Sequence, residues 1–122
     1  MVEQNTPKYG PIHREAEMEM IKADEASSKG EISKARAHSL EAAKLEETVF
    51  GLVPHERVRT RNIIGVSMVV LYRNANRPVD ALRAIDSMRQ SLGIELSGRS
   101  VHEIGEVERE IQANLTSKTT QP

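Results

Sequence analysis

Apolar residues are densest in the middle of the chain. Eight of the ten residues from Ile63 to Tyr72 are apolar, a density that the rest of the sequence does not approach. Isoleucine and valine in this run favour strands. However, the sequence contains no second candidate strand, and a lone strand would leave its backbone groups without hydrogen-bond partners. The pattern therefore predicts a buried helix that the rest of the chain packs around.

Helical periodicity continues on both sides of this run. Gly30 and Gly93 suit the left-handed conformation that ends a helix, and Pro78 suits a first helical turn. Ser100 and Glu103 have the spacing of a capping box, in which each side chain bonds a free N–H at a helix start. The predicted helices span about 12–28, 32–50, 55–73, 78–92 and 101–115.

These elements predict an all-α fold of about five helices. Short connections fold the first four helices into two stacked antiparallel hairpins, and the fifth helix caps the stack. The predicted domain organisation is one helical domain over residues 12–115. Residues 1–11 and 116–122 have the polar, aperiodic composition of disordered tails.

Composition narrows the cellular setting. The chain has no cysteine, which excludes disulfides and fits a cytoplasmic protein. The first residues lack the basic and apolar regions of a signal peptide, and the longest apolar run is about half of the roughly 20 residues that a membrane span needs. The sequence therefore predicts a soluble, cytoplasmic protein that does not interact with membranes.

Catalytic signatures are missing from the sequence. The four histidines are dispersed, and His102 with Glu106 supplies only two neighbouring candidate ligands, which do not make a metal site. No nucleophile elbow, phosphate-binding loop or dinucleotide fingerprint occurs. We therefore expect no enzymatic activity, no catalytic residues, no metal and no cofactor.

The two predicted hairpins are similar to each other at an offset of 46 residues, which takes Gly30 to Asn76 and Ala35 to Ala81. The segments GEISKARAHSLEAAKL and NRPVDALRAIDSMRQS resemble the second half of a tetratricopeptide repeat. The resemblance covers about residues 16–92. It departs from the family pattern in its longer offset and in Gly65, which stands where the family has a tryptophan-like residue.

The resemblance implies that the first helices of the two hairpins form a concave face that holds a peptide or protein segment. The sequence therefore predicts a non-enzymatic protein-binding adaptor. Because arrays of this kind usually need about three repeats, a second copy of the chain is an alternative partner. The residues that the resemblance places on the face are Glu17, Met20, Asp24, Asn62, Val66, Val70, Arg73 and Asn74.

Arginine enrichment leaves a second hypothesis open. Residues 55–99 contain eight arginines, no lysine and four acidic residues. Since the guanidinium group pairs well with phosphate, this half could bind RNA or another polyanion through Arg57, Arg59 and Arg61. The alternative interpretation is that these three arginines pair with the acidic first helix, while others pair with neighbouring aspartates.

Overall fold

The computed structural model describes the backbone of residues 9–120 and the side chains of residues 9–115. This part of the chain is mostly helical and contains no strand, which confirms the predicted all-α class. A short 3-10 turn, Gly93–Glu95, separates the last two helices. The five helices are α1 (Tyr9–Ser28), α2 (Ile32–Leu52), α3 (Val58–Asn74), α4 (Pro78–Leu92) and α5 (Gly98–Thr120).

The helices pack in chain order, so that α1 lies against α2, α2 against α3 and α3 against α4. The chain then returns, and α5 lies on α3 and, to a smaller extent, on α4. This arrangement agrees with two stacked hairpins followed by a capping helix. No described helix is both long and apolar enough to cross a membrane.

Both hairpins turn through the same motif. Gly30 follows α1 with φ 75°, and Asn76 follows α3 with φ 60°. In each turn the next residue donates its backbone N–H to the carbonyl five residues earlier, the geometry of a Schellman motif. These bonds join Glu31 to Ala26 and Arg77 to Tyr72, both at 2.9 Å. The internal similarity seen in the sequence therefore corresponds to two equivalent turns.

The core is aliphatic and is centred on α3. Val69 and Met68 of α3 are fully buried, as are Met88 of α4 and Ala42 of α2. Ile104 of α5 joins the same cluster. Buried alanines on α1 and α2 allow those two helices to approach each other closely. Most of the larger buried side chains lie on α3 and α4.

Two helices extend into the predicted tails. α1 begins at Tyr9, inside the segment 1–11, and α5 continues to Thr120, inside the segment 116–122. The remaining predicted tail residues, 1–8 and 121–122, lie outside the described part of the chain. Helical periodicity was a poor guide at these ends because the terminal turns carry few apolar residues.

Two predicted helix starts were wrong. α3 begins at Val58 rather than His55. The Arg57 N–H donates to the Pro54 carbonyl at a distance of 3.0 Å, and this bond closes a tight turn before the helix starts. α5 is capped by Ser97 instead of Ser100. The Ser97 hydroxyl accepts a hydrogen bond from the Ser100 N–H at 3.0 Å, which satisfies one of the free donors at the helix start.

Candidate functional site

A groove opens between the first halves of α3 and α5. The two helices run in the same direction, because Asn62 contacts Ser97 near both starts and Arg73 contacts Glu110 further along both helices. The groove encloses about 830 Å³. Its lining residues are Val58, Arg59, Asn62, Ile63, Val66, Glu95, Ser97, Arg99, Ser100 and Glu103.

An apolar stripe on α3 supplies Ile63 and Val66 to the groove and continues beyond its lining to Val70. Ile63 and Val66 are three residues apart and Val70 follows four later, so these side chains share one face of the helix. Ile63 is 57% exposed, and Val66 and Val70 are partly buried. A branched apolar side chain exposed to this extent in a groove marks a candidate surface for another apolar group.

Asn62 fixes the wall of the groove. Its Nδ2 donates to the Val58 carbonyl at 2.9 Å and to the Glu95 carbonyl at 3.1 Å. Its Oδ1 accepts the Ser97 N–H at 2.9 Å. The buried amide therefore has three partners within the chain and ties the start of α5 to α3. Its role is to position the wall, and it has little capacity left for a ligand.

Charges on the rim are balanced. Arg59 and Arg99 face Glu95 and Glu103 around the groove, two of each sign. Arg99 Nε donates to Glu103 Oε2 at 3.3 Å, although the Arg99 side chain is largely exposed. A rim of this kind attracts neither polyanions nor polycations strongly, so apolar contact would dominate binding in the groove.

The structure brings together part of the predicted binding face. Asn62 and Val66 lie in the groove, while Arg73 lines a separate cavity of about 300 Å³ near the end of α5. There Arg73 pairs with Glu110 at 3.5 Å. Asn74 is exposed and its Oδ1 accepts hydrogen bonds from the Arg73 guanidinium.

The predicted residues of α1 line neither of these two cavities. Glu17 is exposed and lies 3.4 Å from His13 Nε2. Met20 is partly buried and packs against the core, and Asp24 is exposed. The groove is therefore built from α3 and α5, without a contribution from these three residues.

Arg61 does not lie on a polyanion-binding surface, and in this respect the sequence-based hypothesis was wrong. Arg61 is only 3% exposed, its guanidinium carbon lies 4.7 Å from the centroid of the Phe50 ring, and its Nη2 donates to Ser91 Oγ at 2.5 Å. Its predicted pairing with the acidic α1 is also wrong. Arg57 and Arg59 are exposed.

Other arginines bind carboxylates across the helix stack. Arg83 of α4 donates to Glu47 of α2 at 2.5 Å, and Arg89 of α4 donates to both carboxylate oxygens of Glu108 of α5 at 2.9 Å. Arg83 also lies 3.4 Å from Asp80, the neighbour that the sequence suggested. The arginine-rich half is thus partly used in holding α4 to its neighbours.

Sequence reasoning missed Ile63 and the whole α5 wall of the groove, including Arg99 and Glu103. Ile63 is four residues after Arg59 and three before Val66, so its place on the stripe was readable. The sequence did not predict that this stripe is exposed, because α3 carries apolar residues on nearly every face and periodicity could not identify the one that faces solvent. The α5 wall depends on where the fifth helix returns, which periodicity does not encode.

Among residues 9–115 there is no group of three or more histidine, aspartate or glutamate side chains placed to hold a metal ion. Comparison with known proteins adds no relative from which a function could be inferred: no family model, no curated protein and no solved structure matches this chain.

Proposed function

We propose that this chain is a non-enzymatic protein-interaction module, and that the groove between α3 and α5 binds an amphipathic helix of a partner protein. The observation that carries the proposal is the exposed Ile63 side chain, at the floor of a groove whose wall is held in place by Asn62. A rigid wall beside an uncovered apolar side chain is the arrangement that a preformed binding site needs.

A helix suits this groove better than an extended strand. Two neighbouring parallel helices present ridges and a valley, and a third helix can pack its own ridge into that valley. A helix also presents apolar side chains three and four residues apart, which is the spacing of Ile63, Val66 and Val70. An extended strand would instead need an exposed sheet edge to pair with.

The charge distribution favours a protein over a polyanion. The groove rim carries two arginines and two glutamates, and Arg61 is buried against Phe50. A polyanion site would need several uncompensated cations along one surface, and its affinity would fall steeply with salt. Binding to the proposed groove should depend weakly on salt. Polyanion binding through Arg57 and Arg59 stays a prediction from the sequence.

Self-association and the cytoplasmic location also stay predictions. α5 packs on α3 and α4, so the second hairpin is partly capped within one chain. The groove and the outer face of α1, where Met18 and Ile21 are exposed, remain as surfaces for a second copy. Sedimentation over a hundredfold range of protein concentration separates a monomer from a dimer.

The proposal can be tested with a phage-displayed library of amphipathic helical peptides selected against the intact chain. The selected peptides are then titrated into wild type, Ile63→Glu and Val79→Glu. Val79 is a matched control, because it is 77% exposed on α4 and lines neither cavity. Circular dichroism melts establish that both variants keep the wild-type fold.

We expect Ile63→Glu to weaken peptide binding at least tenfold, which corresponds to about 1.4 kcal/mol. Val79→Glu should stay within twofold of wild type. Peptides that bind both variants equally, or a library that yields no binder, would contradict the assignment of the groove. Affinity that falls steeply as the salt concentration rises, and that is lost when Arg57 or Arg59 is replaced by glutamine, would favour the polyanion alternative.

A further inference from the structure

α1 is attached to the rest of the molecule by small apolar contacts. Its buried residues are Ala16, Ala23 and Ala26, and alanine removes little apolar surface from water. Tyr9, Ile12 and Met20 are the described residues of α1 that pack against the main apolar cluster, and each is only partly buried. Polar contacts between α1 and α2 therefore add to an extensive apolar interface that is made mainly of small side chains.

A buried carboxylate lies under α1. The Glu46 side chain of α2 is 1% exposed, and its Oε1 lies 2.9 Å from His13 Nδ1 of α1, a distance at which an Nδ1–H can donate to the ionised carboxylate. Glu46 Oε2 is also buried and has no hydrogen-bond partner among the described residues. Burial raises the pKa of Glu46, and the hydrogen bond from His13 and the nearby Ser67 hydroxyl of α3 oppose this increase.

His13 can contact two carboxylates at once. Its Nδ1 faces Glu46, and its Nε2 lies 3.4 Å from Glu17 Oε2, one turn further along α1. The protonated imidazole has two N–H donors and can bond both carboxylates, whereas the neutral ring has only one N–H. Loss of the proton therefore removes one of the two interactions and leaves the ionised Glu46 beside an uncharged ring.

We propose that His13 and Glu46 form a proton-operated latch that holds α1 on α2, closed at mildly acidic pH and weakened as the pH rises above neutrality. The latch acts within the chain and does not rest on the proposed groove. Opening it would uncover the face of α2 that carries Ala42 and Glu46, since α1 packs on α2. Loss of the proton weakens the latch in two ways: it removes one of the two interactions of His13, and it leaves the charge of Glu46 without a neighbouring positive charge. Both effects favour release of α1 at higher pH, because a proton shared between His13 and Glu46 reduces the cost of the buried negative charge.

The groups that face the latch are few. Among the described residues, α1 contributes His13 and the like-charged Glu17, and α3 contributes the uncharged Ser67. A second crossing pair lies one to two turns further along α1, where His38 Nδ1 is 2.7 Å from Glu19 Oε1. The hydrogen bond from His38 lowers the pKa of Glu19, with a smaller contribution from Lys22, so Glu19 stays ionised over the range in which the latch works.

Hydrogen–deuterium exchange of the intact chain tests the latch locally. Exchange is followed at about pH 6 and about pH 8, on either side of the usual histidine titration, and corrected for the intrinsic pH dependence. The readout is the protection of the amides in the first half of α1 relative to those of α3. The variants are Glu46→Gln, with Glu41→Gln as a matched control because Glu41 is exposed on α2.

In wild type and Glu41→Gln, we expect protection of the first half of α1 to fall at least tenfold between the two pH values, while α3 stays unchanged. Glu46→Gln should keep α1 protected at both pH values, because its amide can donate to His13 and carries no charge. His13→Asn should lose protection at both. Equal wild-type protection at the two pH values, or a Glu46→Gln variant that responds like wild type, would overturn the proposal.

Discussion

A β-carbon added at Gly65 of α3 would lie 2.6 Å from Met88 Cε of α4, and 2.8 Å from its Sδ. Met88 is fully buried, so its side chain has no solvent to move into. The absence of a side chain at Gly65 therefore sets how closely α3 and α4 approach each other.

Gly65→Ala should lower the free energy of unfolding by about 1–2 kcal/mol. Overpacking of a core typically costs about 1–3 kcal/mol, and the better helix propensity of alanine returns up to about 1 kcal/mol. Gly51→Ala is the matched control, since Gly51 is also in a helix but nothing lies within 4 Å of the added β-carbon. Urea denaturation should show that Gly51→Ala is as stable as wild type or more so. A Gly65→Ala variant of equal stability would mean that Met88 can repack freely.

Val69→Asp should be strongly destabilising, by about 3–5 kcal/mol, because it places an unpaired carboxylate in the core. The Val69 side chain of α3 is fully buried within the core cluster. Val79→Asp serves as the comparison, because Val79 is exposed in the first turn of α4, where a carboxylate is favourable. If thermal unfolding found the two variants equally stable, the burial of α3 would be wrong.

Glu46 gives a pH dependence whose sign follows from burial. Because its pKa is raised in the folded state, the folded protein binds the proton more tightly than the unfolded chain, and stability falls as the pH rises above about 4.5 through the folded pKa. Glu46→Gln should therefore gain stability relative to wild type as the pH rises, by about 1 kcal/mol at pH 7. Urea midpoints measured at about pH 4 and pH 7 provide the comparison. A variant that is less stable than wild type at pH 7 would contradict the cost assigned to the buried charge.

Glu47 should show the opposite sign. The hydrogen bond from Arg83 lowers its pKa, and burial partly opposes this effect. The carboxylate therefore contributes stability above its unfolded pKa of about 4.5, and this contribution is lost as the pH falls through the folded pKa. Because both side chains are partly exposed, Glu47→Gln should cost only about 0.5–1 kcal/mol at pH 7.

The same urea titrations at about pH 3 should find wild type and Glu47→Gln closer in stability, since the contribution of the carboxylate is lost as the pH falls toward its lowered pKa in the folded state. Glu110→Gln is the control for a general charge effect. Glu110 is half exposed, and its contact with Arg73 is long, at 3.5 Å, so its loss should cost little. A Glu110→Gln variant with the same loss as Glu47→Gln would show that net charge, and not the Arg83 contact, is responsible.

The sequence predicted the local elements of this fold well where the determining contacts are local. Gly30 and Gly93 ended the first and fourth helices as expected, since both turns need a positive φ, which glycine adopts readily. Pro78 likewise begins α4. Ser100 and Glu103 matched a capping pattern, but the Ser97 hydroxyl, three residues before Ser100, took the cap.

Features that depend on tertiary packing, such as the burial of Arg61 and the exposure of Ile63, could not be predicted from the sequence pattern. Arg61 belongs to a surface-like cationic run, yet it is buried because its position on α3 faces Phe50 of α2 and Ser91 of α4. The exposure of Ile63 depends on where α5 returns to α3. Each of these outcomes is set by the arrangement of whole helices, and no short sequence pattern determines it.

The central claim is that a partner helix occupies the groove between α3 and α5. The most direct measurement is an NMR titration of the intact chain with a helical peptide selected as described above. The account predicts that the largest amide shift changes fall in residues 58–66 and 97–103, which line the groove. Changes concentrated instead on the outer face of α1, where Met18 and Ile21 are exposed, would contradict it.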